Sequence, residues 1–365
     1  MKIILFADKL PPEIGGMETH AHYFIQHFSK KNNLTIISKK NNYDVIVSYD
    51  YQVKKKIVLF DFLKSFSNEI CVVFYNSGYW IEKIAEIKLS LPHAVFIYRT
   101  GGNEIIKASL NQDIKEHSQR QKYWVNAINQ NINYLIANSQ FTKNRMIDLG
   151  IQSEIVEIIS GGIDIIDIEK AIKVKLQTRK MLNFNDTNKL IVCCCRFVPY
   201  KRTDFLLRAF QFLSNQHNFF LVGDGDLFFE IKSMAKEMNL NISFLGRLNH
   251  EKTLNIIATA DIYCQASTDL IVNVKGGSYV HTEGMGRSLI EAICVGTRVV
   301  ATNCGAIGEF INSANGILVN SNEKEFAKQI EIALSLPLIE EKTRKFYCNE
   351  YSFEKIFNQY ECLWS

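Results

Sequence analysis

Short apolar runs of strand length alternate with longer segments of helical periodicity along most of the sequence. In the first half, strands are expected at 2–7, 34–38, 45–49, 56–60, 70–75, 94–98, 134–137 and 155–158. Helical patterns cover 17–30, 80–89, 114–131 and 141–149. Strands that alternate with helices are typical of βαβ units on a parallel sheet. The first half is therefore predicted to be a Rossmann-like domain.

A second series of strands follows a lysine-rich stretch, residues 169–188, that shows no strand pattern. These strands are expected at 189–195, 219–222, 242–244, 262–265, 298–301 and 316–319. The chain has 365 residues, and a single core stops growing at roughly 250 to 300 residues. The predicted organisation is one Rossmann-like domain at 1–170, a second at 171–350 and a terminal segment at 351–365.

Composition excludes several classes of protein. The sequence is 47% hydrophobic and 22% charged, as in soluble globular proteins, and no apolar run approaches the ~20 residues that cross a bilayer. The N-terminus passes from a short apolar run to Asp8 without the longer core of a secretory signal, so a cytoplasmic location is expected. The cysteines form no pair of C-x-x-C motifs, and Cys193 to Cys195 alternate between strand faces, so no metal site is expected.

The net charge of +4 arises in the first half of the chain. Residues 1–175 hold 22 Lys and Arg against 18 Asp and Glu, and the remainder holds 20 of each sign. The densest part comprises Lys39, Lys40 and 54–56, which suits an anionic membrane surface or a phosphorylated acceptor, or is an ordinary solvated face. Nucleic acid is not an expected partner, because no run alternates basic residues with stacking aromatics.

Loops at the predicted carboxyl ends of strands carry candidate ligand-binding residues. Gly15 and Gly16 precede a helix whose N-terminus attracts anions, although paired glycines also occur in many turns. Arg196 ends a strand and Lys201 follows five residues later, an arrangement of cations that suits a diphosphate. The turn from Gly223 to Gly225 serves either a ligand or a helix entry.

Two glutamates flank a Gly-Met-Gly turn in the segment "TEGMGRSLIEA". Gly284 and Gly286 place Glu283 in a loop and Glu291 in the following helix, so the backbone at 285–287 can hold a phosphate or sugar between them. The alternative for Glu291 is a capping box, because Ser288 and Glu291 fit the S-x-x-E pattern. Both interpretations remain open from the motif.

The order and spacing of these segments resemble the family-4 retaining glycosyltransferases of the GT-B fold. The resemblance is carried by "PPEIGGMETHAHYF", "LIANSQFTKNRM", "IISGGID", "CRFVPYKRTDFLLRAF", "LVGDGD", "ISFLGRLNHEKTLNIIATADIYCQAS" and "TEGMGRSLIEAICVGTRVVATNCGAIGEFI". It implies an α/β fold of two facing Rossmann-like parallel-sheet domains with the active site in the interdomain cleft. It also implies that the C-terminal domain binds the nucleotide sugar and that the terminal helix at 351–365 crosses back to the N-terminal domain.

The resemblance assigns roles to individual residues. Arg196 and Lys201 would bind the diphosphate, Glu291 would bind the ribose, and Glu283 would contact the sugar and stabilise the transition state. Gly16 would approach the diphosphate from the other domain, and residues 246–248 would hold the base. The full set of expected donor-binding residues is Gly15, Gly16, Gly223, Gly246, Arg247, Leu248, Gly284, Met285, Gly286, Arg287, Ser288 and Glu291. No metal is expected, since fixed cations and amide N–H groups at the diphosphate can replace one.

The chain departs from the family pattern in two places. Arg99 stands where many relatives place a histidine thought to act near the sugar. Its guanidinium can bind a phosphate or an acceptor anion but cannot act as a base, and the alternative is a surface salt-bridge arginine. The segment 268–282 is longer than the usual link and is predicted to form a flap over the donor sugar or acceptor.

The expected function is retaining, metal-independent transfer of a hexosyl or N-acetylhexosaminyl group from a nucleotide sugar, with UDP favoured. The acceptor would be a glycan, a lipid-linked precursor or a small molecule, with peripheral contact at the inner face of the membrane through the basic half. The alternatives are a non-hydrolysing sugar-nucleotide epimerase of the same fold and an inactive GT-B binding subunit. An inactive subunit should show a degraded donor site, but the sequence contains all four of the expected residues Arg196, Lys201, Glu283 and Glu291.

Overall fold

The computed structural model divides the chain into two compact α/β units. It describes residues 1–13, 15–40, 43–76, 78–101, 105, 114–182, 189–214, 217–274, 277–320 and 322–365. The first unit comprises Met1–Gly162, Val272–Tyr279 and Phe353–Ser365, and the second comprises Ile163–Ile271 and Val280–Ser352.

The first unit is built on a sheet whose described strands follow the order β4-β3-β2-β1-β5-β6-β7-β8. The strands are β1 Lys2–Phe6, β2 Asn33–Lys40, β3 Tyr43–Val47, β4 Val53–Lys56, β5 Cys71–Tyr75, β6 Val95–Arg99, β7 Tyr134–Ala137 and β8 Val156–Ile158. The helices are α1 Gly16–Lys31, α2 Leu59–Lys64, α3 Ile84–Ser90, α4 Ile114–Asn131 and α5 Gln140–Asp148, with 3-10 turns at Gly78–Lys83 and Ser153–Ile155.

One edge of this sheet departs from the expected parallel arrangement. β2 pairs with β3, and β3 with β4, in antiparallel fashion, whereas the other pairs are parallel. The prediction of a strand at 56–60 is wrong, because β4 ends at Lys56 and α2 begins at Leu59. Leu59 and Leu63 lie four positions apart and are buried, as one face of a helix requires.

The first unit's sheet buries both of its faces. Ile4 and Phe6 of β1 belong to one apolar cluster, and Ile3 and Leu5 belong to a second, as the alternation of a strand requires. The second cluster also receives Phe24 and Phe28 of α1 and Phe357 and Tyr360 of the final helix, α14 Phe353–Trp364.

The second unit is built on a parallel sheet in the order β11-β10-β9-β12-β15-β16. Its strands are β9 Leu190–Cys194, β10 Asn218–Val222, β11 Ile242–Gly246, β12 Ile262–Gln265, β15 Arg298–Thr302 and β16 Gly316–Val319. Its helices are α6 Ile165–Met181, α7 Thr203–Phe210, α8 Phe228–Glu237, α9 His250–Thr259, α10 Arg287–Cys294, α11 Ile307–Phe310, α12 Glu323–Ser335 and α13 Glu341–Glu350, with a 3-10 turn at Pro199–Lys201. β13 Leu270–Val274 and β14 Gly277–His281 form a separate hairpin.

The lysine-rich stretch expected to link two domains is helical over most of its length. α6 begins after Asp164, whose side chain accepts the N–H of Asp167 at 3.1 Å, and it buries Ile168 and Ala171. The boundary expected at 170/171 therefore falls inside a helix, and the two units divide after Gly162. Residues 183–188 lie outside the described residues. Within the described ranges, no helix has both the length and the apolar character needed to cross a membrane.

Candidate active site

A buried ion pair lies at the carboxyl edge of the second unit's sheet. Lys201 ends the 3-10 turn after β9, and its Nζ donates a hydrogen bond to Oε2 of Glu283. Ser267 follows β12, and its hydroxyl donates to the same carboxylate oxygen at 3.2 Å. The charged side chains are only 13% and 15% exposed. The fold thus brings together two residues that the sequence places 82 positions apart.

The ion pair holds both side chains in their charged forms. Burial would lower the pKa of Lys201, but the negative charge of Glu283 outweighs burial and raises that pKa. Burial would raise the pKa of Glu283, but the charge and hydrogen bond of Lys201, together with Ser267, lower it. At neutral pH these two groups are therefore poor proton donors and acceptors, and they act through charge and hydrogen bonding.

Glu291 does not cap its own helix. α10 begins at Arg287, its N-cap is Gly286 without a side-chain cap, and Ser288 lies inside the helix. The hydroxyl of Ser288 accepts a hydrogen bond from Tyr263 Oη at 2.7 Å. A capping box needs the serine at the N-cap position. The capping interpretation of Glu291 is therefore wrong.

A histidine and an arginine hold the Glu291 carboxylate instead. Nε2 of His250, the first residue of α9, lies 2.9 Å from Oε1 of Glu291, and Nε of Arg287 lies 3.4 Å from the same oxygen. The other ring nitrogen of His250 lies 3.7 Å from Oδ2 of Asp167. In the part of the chain that the structure describes, these contacts fall on Oε1, so Oε2 keeps its lone pairs for a ligand.

These contacts keep Glu291 ionised although the residue is only 4% exposed. Burial would raise its pKa, and the hydrogen bond from His250 and the charge of Arg287 lower it. For His250, burial would lower the pKa, and the hydrogen bond and charge of Glu291 raise it. An ionised carboxylate only accepts hydrogen bonds, which is the property needed to bind a pair of sugar hydroxyls.

The loop from Gly284 to Gly286 turns the chain into α10. Gly286 has a φ of +82°, a backbone conformation in which a side chain would be strained. The turn therefore explains why a glycine occupies this position. Met285 is buried beside it. The first N–H groups of a helix have no intrahelical acceptor and carry partial positive charge. The expected donor-binding backbone at 284–288 is therefore arranged to receive an anion.

One expected donor-binding position, Gly223, and the neighbouring Gly225 have a packing explanation. Gly223 has a φ of +136°, and a Cβ there would lie 1.8 Å from the carbonyl oxygen of Cys195. A Cβ on Gly225 would lie 2.5 Å from the carbonyl oxygen of Phe197. The Gly-Asp-Gly turn therefore has to pass against the loop after β9, whether or not a ligand binds. Gly246 differs, because its φ is +62° and a Cβ on it would have no atom within 4 Å.

The remaining second-unit candidates lie at the same edge and are accessible. Arg196 follows β9 and is exposed, and its guanidinium donates to Tyr200 Oη at 3.0 Å. Arg247 is exposed and Leu248 is half-buried, directly after β11. β9 and β11 both neighbour β10 in this parallel sheet, so their carboxyl ends lie along one edge.

Gly15, Gly16 and Arg99 belong to the first unit. Gly16 begins α1, and a Cβ on it would meet no atom within 4 Å, so its backbone borders open space. Arg99 ends β6 and is only 6% exposed, and its Nη1 contacts Sδ of Met17 at 3.1 Å. The interpretation of Arg99 as a surface salt-bridge arginine is therefore wrong.

The long segment at 268–282 forms the hairpin of β13 and β14. Lys275 and Gly276 lie outside the described residues. Near its ends, His281 packs on Tyr200 with ring centroids 4.0 Å apart, and the Thr282 hydroxyl donates to Asp269. The role of this hairpin as a flap stays a prediction.

Three residues of the site were not identified from the sequence. His250 contacts Glu291, Ser267 contacts Glu283, and Tyr200 contacts Arg196. Ser267 follows a predicted strand, and that position was a usable signal. No local pattern indicates that His250 would meet a carboxylate 41 positions away.

A family model matches the second unit, and two related proteins align with most of the chain. Residues 174–352 match the family model described as Glycosyl transferases group 1. A GDP-mannose-dependent monoacylated alpha-(1-6)-phosphatidylinositol monomannoside mannosyltransferase of Corynebacterium glutamicum is 24% identical over 352 residues, which is 91% of this chain and 88% of that protein. An uncharacterised glycosyltransferase of Methanocaldococcus jannaschii is 24% identical over 403 residues, covering 99% of this chain and 97% of that protein.

Similarity to solved structures extends over the whole chain. HepE of Anabaena in complex with UDP superimposes with a TM-score of 0.75 at 19% identity, covering 99% of this chain and 98% of that chain. The complex of the same protein with UDP-glucose gives a TM-score of 0.72 at 20% identity, covering 100% and 99%. The expected fold class, GT-B with two parallel-sheet α/β domains, is confirmed.

Proposed function

We propose that this protein is a retaining glycosyltransferase that moves a hexosyl or N-acetylhexosaminyl group from a nucleotide sugar to an acceptor hydroxyl. The observation that carries the proposal is the pair of ionised glutamates beside the N-terminus of α10, in the unit that matches the group 1 family model. Glu283 is paired with Lys201, and Glu291 is held through one oxygen by His250 and Arg287.

The arrangement supports a division of labour between the two glutamates. Glu291 has one oxygen free of described contacts, so it would accept hydrogen bonds from the ribose hydroxyls. Glu283 would contact the transferred sugar, with Lys201 keeping it ionised. Arg196 and the N–H groups at the start of α10 would bind the diphosphate, whose negative charge grows as it leaves.

The proposed chemistry retains the configuration of the sugar. The acceptor oxygen forms the new bond to the anomeric carbon on the face from which the diphosphate leaves, and the acceptor proton passes to the departing phosphate oxygen. Fixed cations and helix N–H groups stabilise that charge in place of a metal. Among the described residues, no group of three or more His, Cys, Asp or Glu is placed to hold a metal ion. Metal independence stays a prediction.

The base and the acceptor are chosen from the comparisons and the charge distribution. UDP is proposed because HepE was solved with UDP and UDP-glucose, and GDP is the competing base because the Corynebacterium relative is named GDP-mannose-dependent. That relative's name includes a phosphatidylinositol acceptor, which supports a lipid-linked acceptor over a glycan or small molecule. The exposed β4 strand, with Lys54 to Lys56, is the proposed contact with an anionic membrane from the cytoplasm.

Calorimetry tests the donor site directly. The full chain is titrated with UDP, GDP, UDP-glucose, UDP-N-acetylglucosamine, UDP-galactose and GDP-mannose, with EDTA present throughout. We expect UDP and a UDP-sugar to bind in preference to the guanosine compounds, with affinity weakened by about tenfold or more in Glu291→Gln, which removes a charged hydrogen-bond acceptor. Glu230→Gln, in α8, is the control. Absence of nucleotide binding would refute the donor site, and conversion of a UDP-sugar without acceptor would favour the epimerase.

A further inference from the structure

The guanidinium of Arg99 in the first unit is buried, and no carboxylate among the described residues pairs with it. Its side chain lies at the end of β6 and is 6% exposed, and Nη1 contacts the thioether sulfur of Met17 at 3.1 Å. Its Nε has no hydrogen-bond partner in the part of the chain that the structure describes. Among the described residues Arg99 forms no ion pair. An unpaired buried charge is costly, so a guanidinium in this position calls for an anion.

The polar side chains around Arg99 supply no negative charge. Asn76, at the end of neighbouring β5, donates to the carbonyl oxygen of Met17 at 2.9 Å. Nε2 of His20 lies 3.1 Å from Oη of Tyr360. Burial and the positive charge of Arg99 lower the pKa of His20 well below its usual range, so the imidazole is neutral at pH 7. The neighbours of Arg99 that the structure describes therefore leave its charge uncompensated.

Unused hydrogen-bonding atoms gather at the same edge of the sheet. Nε of Arg99 is buried without a described partner, and Nδ1 of His20 and Oδ1 of Asn76, in residues only 2% and 1% exposed, form no hydrogen bond of ordinary geometry, although Asn76 interacts with His20 and raises its pKa. Most buried polar atoms in proteins are hydrogen-bonded, so the unpartnered Nε of a buried arginine indicates a ligand position. The first turn of α1 reaches Arg99 through Met17, and beside it the backbone of Gly16 borders open space.

We propose that Arg99 binds an anionic group, phosphate or carboxylate, carried by the acceptor. This inference rests on the proposed function, because it gives the reaction's second substrate a chemical class. The second unit already holds the two glutamates, Lys201 and Arg196 for the donor, whereas Arg99 lies outside the segment that matches the family model. The planar guanidinium fork matches either anion through two parallel hydrogen bonds.

The test uses three small probes that share a carbon skeleton. Glycerol 3-phosphate, glycerate and neutral glycerol are titrated into the full chain with saturating UDP, so that the donor residues are occupied. The variants are Arg99→Gln, Arg99→Lys and, as the matched control, Arg120→Gln, which removes an arginine of the same unit that pairs with Glu82 on the surface. UDP affinity is measured for each variant, and circular dichroism verifies folding.

We expect one of the anions to bind and glycerol not to bind. Arg99→Gln should weaken the affinity for the anion by about tenfold or more, and Arg99→Lys should keep part of that affinity. Arg120→Gln should bind the anion as tightly as the natural chain does. UDP affinity should stay unchanged throughout. The proposal would be overturned if Arg99→Gln bound the anion as tightly as the natural chain does, or if Arg99→Lys bound the anion and neutral glycerol equally. Loss of UDP affinity on changing Arg99 would also overturn it. If the natural chain binds no nucleotide, the proposed function fails, and the same titration without UDP still decides the anion site.

Discussion

Replacing Lys201 by alanine should destabilise the second unit strongly, because it leaves Glu283 ionised and unpaired in a buried position. Breaking a buried ion pair on one side costs about 3 to 5 kcal/mol, and breaking a surface pair costs about 0 to 1 kcal/mol. The two side chains are 13% and 15% exposed, which is close to the buried case. With a discount for that exposure, we expect Lys201→Ala to lower the free energy of unfolding by about 2 to 4 kcal/mol.

A double variant separates the cost of the unpaired charge from the value of the pair. Glu283→Gln combined with Lys201→Met removes both charges, and much of the stability should return because no buried charge is left alone. The single changes should therefore be non-additive by about 0.5 to 3 kcal/mol. Lys170→Ala is the control, since Lys170 pairs with Asp167 in the same unit but is 63% exposed, and its loss should stay below about 1 kcal/mol.

The assay is urea unfolding of ligand-free protein followed by far-ultraviolet circular dichroism. The chain's three tryptophans, Trp80, Trp124 and Trp364, belong to the first unit, so their fluorescence gives a separate record of that unit. Glu283 has a lowered pKa and Lys201 a raised one, so the stability from the pair should be full between about pH 4.3 and 10.4 and decline outside that window. Additive single changes, or a Lys201→Ala loss no larger than that of Lys170→Ala, would refute the buried ion pair.

Three further outcomes are expected. Glu291→Gln should lower the urea midpoint moderately, because His250 and Arg287 lose a charged partner, and it should also weaken UDP binding; a lowered midpoint with intact UDP affinity would mean that Glu291 is purely structural. The raised pKa of His250 implies that its contribution to stability is full below about pH 6.5 and falls as the pH rises through that pKa, so the advantage over His250→Gln should shrink in alkaline urea titrations. A pH-independent advantage would contradict the contact with Glu291. Deleting residues 271–278 should reduce turnover more than stability, and an unchanged acceptor profile in a transfer assay would count against a flap.

Most strands of both sheets were predictable, because each is a short apolar run bounded by polar residues. β7, β12 and β16 have the predicted bounds. The failures are local: Val53 to Lys56 form an exposed edge strand with three lysines, so no apolar run marks it. The helix α6 was interpreted as a linker because its lysines mask a narrow buried face made of Ile168 and Ala171.

The loops and turns that carry the candidate residues follow from local sequence patterns, whereas the contacts that the structure gives those residues do not. Gly286 and Glu291 were placed correctly in turn and helix, since a glycine turn and a helical repeat are local patterns. Excluding the capping role of Glu291 needed the structure. It depended on where α10 begins and on which side chain faces the carboxylate.

The sequence by itself determined the kinds of elements, the two sheets and the loops that carry charge, because burial imposes a periodicity within each element that the residues display. Tertiary structure alone decided that Lys201 meets Glu283, that His250 meets Glu291, and that Arg99 is buried without a carboxylate among the described residues. Those outcomes depend on which strand ends become neighbours in a sheet. In the second sheet β9 lies between β10 and β12, so positions far apart in the chain share one edge, and no local pattern encodes that adjacency.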